Sequence, residues 1–234
     1  MQLRKIKPSL KRRLVPRVVD KMNVSTLVEI RQKELEPGLG DQWMWPIGER
    51  GAWNGPFTDW QTSHRHKYFD ALKGTDLIIT AGANMGVYVR AYAKRFKNVY
   101  AFEPDWLNFY CMSYNTPCKH IYHFHAALGP RSGVCIVDED HVKQNRGTFT
   151  TEYSPQGRVP MFTIDSLCVP KCDMIQLDVE GYEYEAIQGA EDTIRTFKPV
   201  VIIENKNRFL FELLTSWGYK EHGKSISDYI WIPN

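Results

Sequence analysis

Short apolar runs that alternate with helix-like stretches constrain the fold of this chain more than any other feature. Five runs, each long enough for one buried strand, lie at 76–80, 99–102, 121–128, 174–178 and 200–204. An apolar stripe at helical spacing separates the last two runs and consists of Tyr184, Ile187, Ala190 and Ile194. Strands that alternate with helices predict an α/β fold with a mainly parallel sheet and helices on both faces.

Two segments depart from this rhythm. Residues 131–160 contain short strand-like pieces near Thr148 and Thr150, and we expect them to insert a hairpin. Residues 37–60 hold five Gly, three Pro and four Trp without a helical or strand period, which predicts a long ordered loop. The indole rings of that loop can stack on a sugar or a base, or they can hold the loop against its own domain. The sequence leaves both roles open.

Positive charge is concentrated at the start of the chain. Residues 1–21 hold eight Lys or Arg and one Asp, a balance of +7, whereas the whole chain carries +3. The remaining residues therefore carry a balance of −4. Such an arm suits an anionic surface or a nucleic acid, although a solvated arm or one that packs on a neighbouring subunit has the same pattern. We divide the chain into a basic N-terminal arm with a Trp-, Gly- and Pro-rich loop at 1–60 and a main domain at 61–234.

The composition is that of a globular protein, with 43% hydrophobic and 24% charged residues. A transmembrane helix is not expected, because no run of about 18 apolar residues occurs. The charged start also lacks the apolar centre and the cleavage site of a secretory signal. The five cysteines are an odd number without a CxxC pair, so we expect free thiols and a cytoplasmic location.

A glycine turn and an acidic residue follow the first two strands. Gly82 and Gly86 lie in the turn after the first strand, where glycine permits a tight turn and the close approach of a ligand. Glu103 follows the second strand, and a carboxylate at that place can accept both hydroxyl groups of a ribose. Because the dinucleotide pattern GxGxxG is absent, the pair predicts an adenosine site without a pyrophosphate, which suits S-adenosylmethionine better than NAD.

Two further carboxylates end neighbouring strands of the predicted sheet. Asp178 closes the fourth run and Glu204 closes the fifth. Since the carboxyl ends of parallel strands meet at one edge of a sheet, both side chains are expected in the same crevice. Such a pair can bind a hard divalent cation or orient a hydroxyl group. Glu180 and Glu183 precede a helix, and we expect them to cap it, because the helix dipole favours an acid there.

An ordered series of motifs resembles the FkbM-type S-adenosylmethionine-dependent methyltransferases. The motifs are GAN-x-G at 82–86, F-E-P at 102–104, T-x-D-S-L at 163–167, D-V-E-G-x-E at 178–183, G-A at 189–190 and K-P-V-x-x-x-E at 198–204. The match covers about residues 74–233, and Gly218-Tyr219 and Asp228-Tyr229 are similar to the last antiparallel strands of the family. Residues 1–60 lie outside it.

The resemblance implies a Rossmann-like class I methyltransferase fold with an antiparallel last strand. It implies S-adenosylmethionine as the cofactor, bound by Thr80, Gly82, Asn84, Gly86, Glu103, Pro104 and Ala126. It also implies that Asp178 and Glu204, assisted by Asn205, position the acceptor, and that Asp178 and Glu204 can bind Mg²⁺, since some relatives look metal-dependent. The expected reaction is methyl transfer to a hydroxyl of a glycan or small molecule.

Two positions depart from the family pattern. Thr80 stands where the family usually has an acidic residue near the methionine end of the cofactor, and Gln176 stands where it often has Lys. The first change removes a carboxylate that would help to bind the cofactor. The hydroxyl of Thr80 and the backbone of the Gly82 turn remain as groups that can hold the methionine part.

Two other functions stay open. An RNA 2′-hydroxyl methyltransferase would use the basic arm, but its expected Lys-Asp-Lys-Glu set is incomplete, since Asp178 and Lys206 lack a Glu on the last strand. An inactive cofactor-binding adaptor would hold a partner with the arm and the Trp-rich loop, and Thr80 is its direct support. The acceptor and the oligomeric state do not follow from the sequence.

Overall fold

The computed structural model describes residues 24–32, 42–50, 66–138, 145–204, 207–225 and 228–234. The strands, in chain order, are β1 (Val28–Gln32), β2 (Gln42–Pro46), β3 (Leu77–Ala81), β4 (Asn98–Phe102), β5 (Ile121–Phe124), β6 (Ala127–Leu128), β7 (Gly133–Asp138), β8 (Thr150–Tyr153), β9 (Val159–Phe162), β10 (Met174–Leu177), β11 (Val200–Glu204), β12 (Tyr219–Ser225) and β13 (Asp228–Pro233). The helices are α1 (His66–Asp70), α2 (Val87–Tyr92), α3 (Trp106–Asn115), α4 (Glu183–Gln188), α5 (Glu191–Phe197) and α6 (Arg208–Ser216).

A seven-stranded sheet forms the centre of the fold, in the spatial order β5-β4-β3-β10-β11-β13-β12. The first five strands of this order pair in parallel, and β13 is antiparallel to both of its neighbours. The direction in which the chain adds strands reverses between β3 and β10, so the crevice of the sheet lies at their carboxyl ends. The Rossmann-like fold with an antiparallel last strand is therefore confirmed.

Apolar side chains pack on both faces of the central sheet, because successive residues of a strand point to opposite sides. Ile79 and Ile175 belong to one buried cluster, together with Leu210 of α6. Ile78 and Met174, which precede them by one residue, belong to a second cluster with Val89 of α2. Helices therefore cover both faces of the sheet, as the alternation of strands and helices predicts.

A four-stranded sheet in the order β6-β9-β7-β8 lies beside the central one. Strands β7 and β8 form an antiparallel pair inside 131–160, which confirms the predicted insertion. The apolar run at 121–128, however, is two strands in different sheets, not one. The chain leaves β5 at His125, whose ring nitrogen Nε2 lies 3.0 Å from the carbonyl oxygen of Pro104, and re-enters a strand at Ala127.

The predicted single helix after β10 is two helices, α4 and α5, separated by Gly189 and Ala190. The backbone of Gly189 lies against the carbonyl oxygen of Gly129, so a Cβ at this position would overlap that oxygen. The apolar stripe nevertheless survives the break, because Ile187, Ala190 and Ile194 are all fully buried in the same cluster.

The loop predicted at 37–60 contains a strand, since β2 pairs in an antiparallel hairpin with β1. Asn115 of α3 holds this hairpin by both of its amide atoms. Its Oδ1 accepts from the Met44 N–H at 2.7 Å, and its Nδ2 donates to the Met44 carbonyl at 2.9 Å. The Asn115 side chain thus makes the two backbone hydrogen bonds that a neighbouring strand would make at Met44. In the described part of the chain, no helix has both the length and the apolar character needed to cross a bilayer.

Candidate active site

A cavity of about 230 Å³ opens at the carboxyl ends of β3, β4, β10 and β11. Its wall combines the turn after β3, the loop after β4, and the ends of β10 and β11, which is where an open α/β sheet binds its ligands. Of the residues predicted for the site, those that line this cavity are Gly82, Asn84, Glu103, Pro104, Ala126, Asp178 and Glu204. Most of the residues predicted from the strand ends therefore line a single cavity.

The turn after β3 requires glycine at its first position. Gly82 has φ +74°, a left-handed conformation, and a Cβ there would overlap the backbone carbonyl oxygen of Asp178. The backbone of the turn therefore packs directly against the backbone at the end of β10. Asn84 follows with φ +50°, and its backbone N–H donates to Glu103 at 2.7 Å. The glycine turn and the end of β4 are thus joined by a direct hydrogen bond.

Glu103 is 5% exposed and faces the cavity between the β3 turn and α3. One carboxylate oxygen accepts from the Asn84 N–H, and the other accepts from the Asp105 N–H at 2.9 Å. Burial raises the pKa of Glu103 to about 8, because the loss of hydration outweighs these hydrogen bonds, and the nearby charge of Asp105 adds to the rise. The Asn108 side chain also hydrogen-bonds this carboxyl, and the lone pairs that remain can accept from a ligand hydroxyl.

Three carboxylates meet at the other end of the cavity. Oxygen atoms of Asp178, Glu180 and Glu204 all lie within 4.8 Å of one another, and all three residues line the wall. Burial, together with the charge of Glu204, raises the pKa of Glu180 to about 7. We name these three residues the acidic trio. The trio consists of the predicted Asp178–Glu204 pair and Glu180, for which the sequence predicted a helix cap.

The helix-cap prediction for Glu180 is wrong. Glu180 has φ +52° in the tight turn after β10, and this conformation directs it to the acidic trio instead of the helix start. Glu183, the first residue of α4, does stabilise the turn, since its Oε1 accepts from the N–H groups of Val179 at 3.1 Å and Gly181 at 3.3 Å. Burial raises the pKa of Glu183.

A cover of three segments closes the cavity over Glu103, and sequence reasoning did not find it. Its centre is Arg146, whose backbone N–H donates to Glu49 at 2.5 Å. The Arg146 guanidinium pairs with the buried carboxylate of Asp105 at 2.5 Å, and its carbonyl oxygen accepts from Asn108 at 3.3 Å. Arg146 thus ties the inserted sheet to α3 and to the segment after β2. A lone Arg in an irregular segment carries no sequence pattern that would have revealed this.

The two described tryptophans of the Trp-rich loop have different surroundings. Trp43 is fully buried, and the guanidinium of Arg90 stacks over its ring at 3.6 Å from the centroid. Trp45 is also fully buried, yet it forms part of the cavity wall. One indole therefore holds the hairpin against its own domain, and the other contributes to the site. Trp53 and Trp60 lie outside the described residues, as does the basic arm at 1–21.

Three predicted site residues do not line the described wall. Thr80 is 1% exposed inside β3, and its hydroxyl donates to Gln176 instead of facing the cavity. Gly86 has φ +86° at the start of α2, where a Cβ would meet Met112 and Thr116 of the neighbouring helix region, so it serves the packing of α2. Asn205 lies outside the described residues.

Comparison with known protein families identifies the family of this chain. The family model of the methyltransferase FkbM domain matches residues 81–221. This range runs from the glycine turn through the acidic trio into β12, and it leaves out the hairpin that carries Trp45 and Glu49. No curated protein matches the chain in sequence.

Several solved methyltransferases are similar to the chain at low sequence identity. Methyltransferase FkbM from Methylobacillus flagellatus KT is 18% identical at a TM-score of 0.47, over 68% of this chain and 43% of that one. The chain therefore spans less than half the length of that protein. Precorrin-6y C5,15-methyltransferase from Geobacter metallireducens GS-15 is 12% identical at a TM-score of 0.43, over 71% of this chain and 86% of that one. Magnesium protoporphyrin IX methyltransferase from Synechocystis PCC 6803, solved with bound S-adenosylmethionine, is 10% identical at a TM-score of 0.40, over 80% and 88%.

Proposed function

Because the chain belongs to the FkbM methyltransferase family, we propose that it transfers a methyl group from S-adenosylmethionine to a hydroxyl of a glycan or small molecule. One observation carries the proposal: a single cavity holds a buried acid at one end, three carboxylates at the other, and the glycine turn between them. The first end suits an adenosine cofactor, and the second suits a hydroxyl acceptor.

The residues of the first end fit S-adenosylmethionine. Gly82 lines the cavity, and its missing Cβ lets the turn pack directly against the Asp178 carbonyl at the cavity wall. Glu103 would accept the ribose hydroxyls, and Pro104 and Ala126 offer apolar surface for the adenine ring. Asn84 would hold Glu103 in place through its backbone N–H. When bound, the cofactor supplies an electrophilic methyl group on a sulfonium.

The acidic trio would position the acceptor and take its proton. Asp178 and Glu204 end adjacent parallel strands, so their backbones are fixed by the sheet, and their carboxylates can accept a hydrogen bond from the acceptor hydroxyl. Glu180, with a pKa near 7, can hold that proton at neutral pH. An aligned hydroxyl that loses its proton to a carboxylate is a stronger nucleophile toward the methyl carbon. Asn205 remains a proposed assistant to this pair.

The acidic trio can also hold a divalent cation, which is the second candidate for its role. Three carboxylates within 4.8 Å offer the hard oxygen ligands that Mg²⁺ prefers. In that case Asp178, Glu180 and Glu204 would be the ligands, and the cation would supply positive charge beside the acceptor oxygen. We favour direct positioning by the carboxylates and keep Mg²⁺ as the alternative.

Nucleic acid is a less suitable acceptor than a neutral molecule. Among the described lining residues, Arg146 is the only basic side chain, and Asp105 already pairs with it. A phosphate beside the acidic trio would meet like charge. The basic residues at 1–21 still allow an RNA-binding role, but we expect that binding to be weak and nonspecific. An inactive adaptor loses its direct support, because Thr80 is engaged with Gln176 away from the cavity.

Two measurements on the full chain test the proposed function. Calorimetric titration with S-adenosylhomocysteine should show one site, and Glu103→Ala should weaken it. Incubation with ¹³C-methyl-labelled S-adenosylmethionine and pooled glycosides should give a product whose methyl ¹³C shift is that of an O-methyl group. An absence of S-adenosylhomocysteine binding would contradict the cofactor assignment, and an N-methyl product would contradict the hydroxyl acceptor.

A further inference from the structure

Two aromatic side chains pack together at the starts of two neighbouring helices, outside the described cavity wall. Tyr184 is the second residue of α4, and Phe209 is the second residue of α6. Their rings lie 6.4 Å apart at 58°, and Phe209 is 69% exposed. We name this pair the aromatic platform. The hydration of an exposed phenylalanine ring is unfavourable, so binding of a ligand that covers the ring is stabilised by its removal from water.

The topology puts the platform at the rim of the cavity on the acceptor side. Both α4 and α6 begin just after the carboxyl ends of β10 and β11, which carry the acidic trio. Glu183, the residue before Tyr184, is close enough to Glu204 for the two charges to interact. Glu103 and the glycine turn lie at the ends of β3 and β4 instead. The platform therefore borders the carboxylates and not the cofactor end.

We infer that the aromatic platform and the acidic trio together form a subsite for a pyranose sugar, which is the acceptor. This inference rests on the proposed function. The C–H face of a pyranose ring is apolar and packs on an aromatic ring, while its hydroxyls donate to carboxylates. Both kinds of surface occur here side by side.

Two other acceptor classes fit the rim less well. A phosphate-bearing acceptor would be repelled by the negative charge of the acidic trio. A cationic amine is favoured by rings that enclose it, whereas Phe209 presents an open ring with most of its surface in solvent. A neutral pyranose chair, with an apolar C–H face and several hydroxyls, matches an open aromatic surface next to acids.

The test measures methyl transfer from tritiated S-adenosylmethionine to methyl glycosides of common hexopyranoses and 6-deoxyhexopyranoses. At least one glycoside should accept the methyl group in the full chain. Phe209→Ala should raise the KM for that glycoside about tenfold with kcat nearly unchanged, whereas Phe209→Tyr should keep the wild-type KM. Affinity for S-adenosylhomocysteine should be the same in all variants. Tyr114→Ala is the matched control, because Tyr114 is an aromatic residue of α3 with 51% exposure.

The outcomes separate this inference from the proposed function. Loss of S-adenosylhomocysteine binding in the wild-type chain would defeat the proposed function itself. Normal binding with transfer to a non-sugar alcohol, and to no glycoside, would overturn the sugar subsite alone, whereas transfer to an amine panel would also contradict the proposed hydroxyl acceptor. Equal KM values for wild type and a folded Phe209→Ala protein would overturn the platform's role. Circular dichroism of each variant establishes that it is folded.

Discussion

The hydroxyl of Thr80 donates a hydrogen bond to the side-chain oxygen of Gln176, its register partner on the neighbouring strand. These are the two positions at which the chain departs from the family motifs, and both side chains are buried in the centre of the sheet. The family pattern places an acid and a Lys at the same positions, which would form a charged pair there. The two departures are therefore a single exchange of a charged contact for a neutral one.

The Thr80–Gln176 contact should matter for stability and not for the cofactor. Thr80→Val should lower the free energy of unfolding by about 1–3 kcal/mol, because it leaves the buried Gln176 oxygen without a donor. Affinity for S-adenosylhomocysteine should be unchanged, since neither residue lines the cavity. Urea unfolding and calorimetric titration measure the two quantities. A large loss of affinity at unchanged stability would return Thr80 to the cofactor site.

The exchange can also be reversed. In the double variant Thr80→Asp, Gln176→Lys, the new charges pair, whereas either single variant buries one charge without its partner and should lose about 3–5 kcal/mol relative to the pair. The double variant should therefore be more stable than both singles in urea unfolding. If the single effects simply add, the two side chains do not act together.

Gly82 and Gly86 offer a matched pair of substitutions. Both have positive φ, so each Ala variant should lose about 1–2 kcal/mol to backbone strain, and Gly82→Ala should lose more, because its Cβ would overlap the Asp178 carbonyl oxygen. Only Gly82 touches the Asp178 carbonyl at the cavity, so Gly82→Ala alone should weaken S-adenosylhomocysteine binding, by about tenfold or more. Calorimetry on both variants checks this. Equal losses of affinity would mean that the turn acts through its overall shape and not through the contact at Gly82.

Glu103→Ala should weaken cofactor binding by about ten- to a hundredfold, because a buried ribose hydroxyl left without its acceptor costs about 1–3 kcal/mol. Glu191→Ala, at an exposed acid of α5, is the control and should leave the affinity unchanged. Unaltered binding in a folded Glu103→Ala protein would place the ribose elsewhere.

The raised pKa of Glu103 predicts a pH dependence of stability in the free protein. The folded state has a pKa of about 8 and the unfolded state one near 4.5, so folded Glu103 keeps a proton that the unfolded chain releases between these values. The contribution to stability is full below pH 4.5 and is lost as the pH rises to about 8. Glu103→Gln removes this loss, so the variant should gain stability relative to wild type between pH 5 and 8 in urea unfolding. A constant difference across that range would mean that Glu103 titrates normally.

Chelation distinguishes the two roles of the acidic trio. We expect transfer to continue in EDTA, because Asp178 and Glu204 can position a hydroxyl without an ion. Loss of transfer in EDTA, followed by recovery with Mg²⁺, would establish the trio as a metal site instead.

The parts of this structure that could be predicted from the sequence are those encoded locally. The buried strands, the glycine turn and the acids at strand ends follow from apolar runs and the residues next to them, and they met in one cavity. The division of 121–128 between two sheets and the break at Gly189 depend on contacts with distant backbone, which no local pattern shows. Arg146 and Trp45 reach the cavity only through tertiary packing, so the cover could not be foreseen.

The position of β13 has a consequence for synthesis of the chain. This strand lies between β11 and β12 in the sheet, although the ribosome makes it after both. Until β13 pairs, the apolar strand β11 has an unpaired edge, and β12 has no strand to join. Open edges of this kind invite pairing with other chains. A substitution that weakens the pairing of β13 should therefore open the β11 edge, and association with other chains would begin there.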